Sequence, residues 1–317
     1  MFCKGRLKMQ GKGKGFAPLQ MGMRRLKLRI PIYRVLPAFT LIELLMVIAI
    51  LAALIGILMP TLNRAREQGQ RTVCKANLKN YAYAMLMYTA DNDDRFCDPR
   101  SCYFSQTEPY GVEEGLRYPI HVRWCNGDLY LREHPEYAGP FFSYLLDAKA
   151  FICPTFATLV GRTSEDPYYK ADAKNLREYK PWYNYTMNAY LGNTSNEVKK
   201  SSAMKLSEVK HPGEIFAFTE EGVLVDPRYN ASGLNDTYMI PGSDNMIASW
   251  LESPTVMGDY RNIRPGPNGV GQFWDIIAGF HYAPSGDPTG GKGNCAFLDG
   301  HVDSHTRLET FPLSWPR

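Results

Sequence analysis

The chain has 317 residues, 44% hydrophobic, 13% aromatic and 21% charged, with a formal net charge of +4. Ten Lys or Arg and no Asp or Glu fall in residues 1–38, so subtracting that +10 leaves −6 for residues 39–317. The basic balance belongs to the N-terminal stretch alone, which argues against a nucleic-acid footprint on the remainder, and the aromatic content argues against a disordered chain.

Residues 39–59 read FTLIELLMVIAILAALIGILM, 21 residues with one charged side chain, Glu43. A helix rising about 1.5 Å per residue needs about 20 apolar residues to cross the hydrocarbon of a bilayer, and this run reaches that length before Pro60. The basic stretch ahead of it predicts a cytoplasmic N-terminus and an extracytoplasmic remainder. A charged residue within such a span is costly enough to need a partner, so Glu43 is a candidate functional residue.

From Thr61 to residue 90 no further Pro occurs, and Cys74, Leu78, Tyr81, Met85 and Tyr88 step by four, three, four and three. That spacing predicts an amphipathic helical half over 61–90 whose stripe lies against a sheet, continuing the membrane half over 39–60. Residues 91–317 then form one α+β domain. Short strands are predicted at Trp182–Met187 and Glu214–Thr219. A hairpin is predicted where Asn294–Leu298 and His301–Thr306 flank Asp299-Gly300, a pair suited to a two-residue type I′ turn. No βαβ alternation is visible, so the expected architecture is a long N-terminal helix on an antiparallel sheet with long irregular loops.

The pentapeptide Phe39-Thr-Leu-Ile-Glu43, its basic leader and the apolar run together resemble the N-terminus of type IV prepilins and type II secretion pseudopilins. The resemblance implies cleavage by a prepilin peptidase between Ala38 and Phe39, where the family prefers Gly before the cut. It also implies methylation of the Phe39 amine, and pairing of Glu43 with the N-terminal amine of a neighbouring subunit. The implied partners are the peptidase, other pilin or pseudopilin subunits and the inner membrane, with no nucleic acid, no cofactor and no reaction catalysed by the chain.

The stretches around Cys74–Asn80 and Met87–Phe96, with Phe151–Pro154 and Tyr185–Asn188, are similar to a bacterial pseudopilin-like subgroup that carries a C-terminal signature of His, nine residues, then Asp-Gly. His281 with Asp299 and Gly300 fits that signature if the 17 intervening residues include an eight-residue loop insertion. A hydrogen bond from His281 to Asp299 is expected to stabilise the turn.

Six of the seven cysteines follow the apolar run, and six allow fifteen full pairings. Cys97 and Cys102 are candidates to pair with each other or with Cys125. A Cys74–Cys153 disulfide is expected because Cys74 lies on the helix stripe and Cys153 near a strand edge. No CxxC is present, so no metal is expected at the cysteines. His301, Asp303 and His305 alternate along a strand, a geometry able to hold a transition metal, although a polar outer face is the favoured reading. Asp91, Asp93 and Asp94 open like a calcium loop, but Arg95 and Phe96 break the pattern, which leaves a solvated helix end as the favoured reading. No HExxH, GxSxG or P-loop occurs. The alternative function is a membrane-anchored binding module for glycan or protein, using Trp124, Tyr130, Trp250 and Trp274.

Overall fold

The computed structural model describes residues 40–99, 143–145, 150, 152–163, 184–222, 238–266, 269–287 and 289–316. Two compact units divide at residue 56.

Helix α1 runs Leu41–Asp91, with Pro60 inside it. In the first unit every large apolar side chain from Leu41 to Ile55 is exposed, so this stretch has no packing partner among the described residues. By length and composition α1 can cross a membrane.

In the second unit the predicted stripe faces inward. Cys74, Leu78, Tyr81, Ala82, Ala84, Met85 and Thr89 are buried and Tyr88 is partly buried. Helix α2 (Pro154–Thr163) follows Cys153 directly, with Pro at the first helical position, where its missing N–H costs nothing. The sheet comprises β1 (Tyr185–Asn188), β2 (Phe216–Glu220), β3 (Tyr238–Met239), β4 (Gly293–Phe297) and β5 (Val302–His305) in the order β3-β1-β2-β4-β5. Helices α3 (Asp244–Leu251) and α4 (Thr310–Ser314) complete it.

The sheet is mixed, correcting the expectation of a purely antiparallel one. β1–β2, β2–β4 and β4–β5 are antiparallel, but β3 pairs with β1 in parallel, Met187 opposite Tyr238. β3 lies on the far side of β1 from β2; because β1 is antiparallel to β2, a strand there that is antiparallel to β2 is parallel to β1. β3 is only two residues long and carries no periodic signal of its own.

β1, β2 and β4 are buried along their whole length because both sheet faces are covered. On one face Tyr81 of α1 packs against Tyr185 and Phe218, with ring centroids 5.3 and 5.1 Å away. On the other, Phe216, Met239, Ile277, Cys295 and Phe297 form a second cluster, with Leu313 of α4 against it. A third cluster surrounds Trp250, which stacks on Phe273 at 4.8 Å and meets Phe311 edge-on.

The predicted hairpin forms with a different turn. Phe297 N–H donates to the His301 carbonyl and Gly300 N–H to the Phe297 carbonyl, both at 2.9 Å, and the ladder pairs Ala296 with Val302. The loop is therefore three residues, Leu298-Asp299-Gly300, with Gly300 at φ +93° and Asp299 outside the left-handed region. A three-residue loop needs only its last residue left-handed, and Gly300 supplies that without a Cβ penalty.

Candidate functional site

Ala38 and Phe39 lie outside the described residues, whereas Thr40 and Glu43 open α1. The Glu43 Oε2 atom accepts from Thr40 N–H at 2.9 Å and from the Thr40 hydroxyl at 2.7 Å, while Glu43 N–H donates to Thr40 Oγ1 at 3.3 Å. This is a reciprocal capping box, satisfying donors that a helix start leaves without intrahelical partners. The site is exposed, and the residues that follow present an uncovered apolar surface around a single acid.

A second group lies under the amphipathic half of α1. Cys74 of α1 and Cys153, one residue before α2, are disulfide-bonded across a sequence separation of 79, with Cα atoms 5.0 Å apart. The Asn184 side-chain carbonyl accepts from Cys153 N–H at 2.7 Å and fixes the approach to α2. His281, held by paired backbone bonds with Lys292, turns Nε2 to within 3.6 Å of Cys153 Sγ and 3.0 Å of Glu220. Glu220 closes β2, and its other oxygen accepts from Asn294 N–H of β4 at 2.8 Å. All four side chains are at most 1% exposed. Burying a carboxylate is costly unless it is paired and hydrogen-bonded; here an imidazole and a backbone N–H meet it. Beside the group, burial first and the Glu220 charge second push the Tyr185 hydroxyl well above its usual pKa, keeping it protonated.

This arrangement corrects the expected role of His281. Its partners are Glu220 and the Cys153 sulfur, so the bond to Asp299 is not formed. Asp299 instead accepts from His301 N–H at 3.0 Å and Nδ1 at 2.6 Å. Burial opposes its ionisation, but those two contacts hold its carboxyl below the usual range. The signature residues thus serve two separate places, Asp299 and Gly300 the hairpin and His281 the disulfide. Glu220 had no signal in the sequence, where it reads as an ordinary polar strand end.

The alternating trio also divides. His301 stacks on Phe297 with centroids 4.2 Å apart, His305 meets Phe297 edge-on and bonds Glu309, and Asp303 lies 3.7 Å from Lys75. The acidic turn after α1 is occupied similarly. Asp91 accepts from the Tyr144 hydroxyl at 2.9 Å, and Asp94 accepts from Ser207, whose side chain first and N–H, at 2.9 Å, second lower its pKa.

Cys97 is disulfide-bonded to a partner outside the described residues. The candidates Cys102 and Cys125 also lie outside them. Cys295 is a free buried thiol; burial raises its pKa first, against the Thr219 hydroxyl. Of the candidate ligand-binding aromatics, Trp250 is a core residue, Trp274 is 37% exposed, and Trp124 and Tyr130 lie outside the described residues.

Over 55 residues the chain is 47% identical to the type IV wide pilus major component PilA4 of Thermus thermophilus. Over that stretch the chain is pilin-like. The match takes 17% of this chain and 42% of the relative, so the chain spans less than half the length of the protein it matches. No protein-family model matches, and no solved structure does.

Proposed function

We propose that the chain is a pilin-like structural subunit of a type IV pilus-like or type II secretion system. A prepilin peptidase cuts it between Ala38 and Phe39, the Phe39 amine is methylated, and the helix anchors it in the inner membrane with its N-terminus cytoplasmic. The α+β domain lies outside the cytoplasm. The chain catalyses no reaction; its work is assembly with other pilin or pseudopilin subunits.

The observation that carries this reading is the first unit itself: apolar side chains exposed all along the helix, with Glu43 the one acid among them. Such a surface is stable only in lipid or against similar helices, and in either setting Glu43 needs a cationic partner. A neighbour's Phe39 amine supplies one and fixes the axial register of adjacent helices. The partial likeness to a pilus component supports the same reading.

Intact-mass analysis of protein extracted from the cell envelope tests it. The expected species begins at a methylated Phe39. Recovery of the uncut chain in cells with an active prepilin peptidase overturns it.

A further inference from the structure

The buried group at Cys74, Cys153, Glu220 and His281 offers two sulfurs, an imidazole nitrogen and a carboxylate oxygen, all within 4.8 Å of one another. Among the described residues no other group of three or more such side chains converges in this way. The donors come from α1, the start of α2, the end of β2 and the His281–Lys292 bridge, so only the folded domain assembles them.

We propose that this group is a bistable staple: a disulfide when oxidised and, once that bond is reduced, a four-ligand site for one Zn2+. Tetrahedral zinc, with Zn–S about 2.3 Å and Zn–N or Zn–O about 2.0 to 2.2 Å, needs donors roughly 3.3 to 3.8 Å apart. His281 Nε2 already stands 3.6 Å from Cys153 Sγ and 3.0 Å from Glu220. The two sulfurs must part to about 3.8 Å once no bond joins them, and donors that now stand up to 4.8 Å apart must close by about 1 Å. Asn294 N–H holds one Glu220 oxygen, leaving the carboxylate oriented to ligate through the other. Hydrogen bonds of this kind, made to the far side of a ligand, orient it toward its metal.

The chemistry balances through a dithiol reductant. It delivers two electrons and two protons, the Cys74–Cys153 bond opens to two thiols, and the reductant leaves as its own disulfide. Zn2+ then displaces both thiol protons to solvent, and the dication offsets the buried thiolate and carboxylate charge. A disulfide oxidant reverses the sequence, taking two electrons from the sulfurs, re-forming the bond and releasing the metal. In both states α1 stays tied to the sheet.

The test uses the full chain in detergent, reduced with a phosphine under anaerobic conditions and freed of reductant, with Co2+ as the spectroscopic probe. Expected are one Co2+ per chain, a sulfur-to-cobalt charge-transfer band and intense tetrahedral visible bands, all bleached by Zn2+. The unreduced chain shows none of these. Cys153→Ser abolishes the charge-transfer contribution of that sulfur, and His281→Gln and Glu220→Gln each weaken Co2+ binding by at least about tenfold. Cys97→Ser leaves the spectrum unchanged. Zn2+ also raises the melting temperature of the reduced chain, because it binds the assembled site more tightly than the scattered Cys and His of the unfolded chain. The proposal is overturned if the reduced chain, folded by circular dichroism, takes up no Co2+. It is equally overturned if the bands persist unchanged in His281→Gln and Cys153→Ser, or if the reduced chain unfolds and Zn2+ does not restore it.

Discussion

Thr40 and Glu43 hold each other at the first turn of α1, and the two hydrogen bonds that Glu43 accepts there both end on Oε2. The acid therefore has two separable roles. As a capping residue it satisfies the Thr40 N–H, which a glutamine can also do. As a charge in an apolar span it attracts a cation, which a glutamine cannot.

Glu43→Gln and Glu43→Val separate those roles. Both variants are expected to insert into the membrane, the Val form at least as well as wild type because the span becomes more apolar. Both should be cut before Phe39 yet lose cross-links to neighbouring subunits in the membrane. If Glu43→Gln cross-links as well as wild type while Glu43→Val does not, the hydrogen bond and not the charge sets the register. Wild-type cross-linking by both removes Glu43 from assembly.

The Cys74–Cys153 bond closes a long loop and ties α1 to the start of α2. By the chain-entropy relation, a loop of this size contributes about 4 kcal/mol. Cys74→Ser without reductant should lower the unfolding free energy of the full chain by about that amount in urea titration. A loss under about 1 kcal/mol means that the unfolded chain is not restrained by the bond as this account requires.

The sequence revealed what is periodic or local. The apolar run, the stripe from Cys74 to Tyr88, β2 within one or two residues and the 294–306 hairpin each carry their own pattern. β3 was not visible, because two residues show no alternation and its pairing with β1 is decided by residues about 50 positions away. The turn type was misread because Asp-Gly serves a three-residue loop as readily as a two-residue one. His281 was singled out, but its partner was not: only the fold brings Glu220 of β2 beneath α1, and no spacing rule covers four side chains drawn from positions 74, 153, 220 and 281.

Gly242 lies directly against the Trp250 indole, and a Cβ there would collide with the outer edge of its six-membered ring. Because Trp250 is wedged between Phe273 and Phe311, the ring cannot withdraw. Gly242→Ala is expected to cost about 1 to 3 kcal/mol and to change the tryptophan fluorescence of the folded domain. Unchanged stability would show that the third cluster is loosely packed.

Glu309 gives the pH prediction. Its Oε2 accepts from Thr306 N–H at 2.8 Å and the Thr306 hydroxyl at 2.9 Å, and Oε1 lies 3.2 Å from His305 Nδ1. Burial opposes ionisation most strongly, yet these contacts together lower the pKa. A carboxyl whose folded pKa lies below its unfolded value binds more protons when unfolded, so its contribution is complete above the ordinary Glu value of about 4.3 and is lost as pH falls through the folded pKa. Glu309→Gln keeps the capping geometry and removes the charge. The variant should be less stable than wild type by about 0.5 to 1 kcal/mol at neutral pH, a modest figure because the side chain is partly exposed and screened. As pH falls through the folded pKa and acid protonates the wild-type residue, that gap should close toward zero. Asp94, Asp299 and Asp303 titrate in the same direction, so the informative quantity is the difference between the two proteins in urea titrations at each pH, not the acid sensitivity of either. A gap that keeps its neutral-pH size down to the acid unfolding transition would show that Glu309 acts through shape and hydrogen bonding alone.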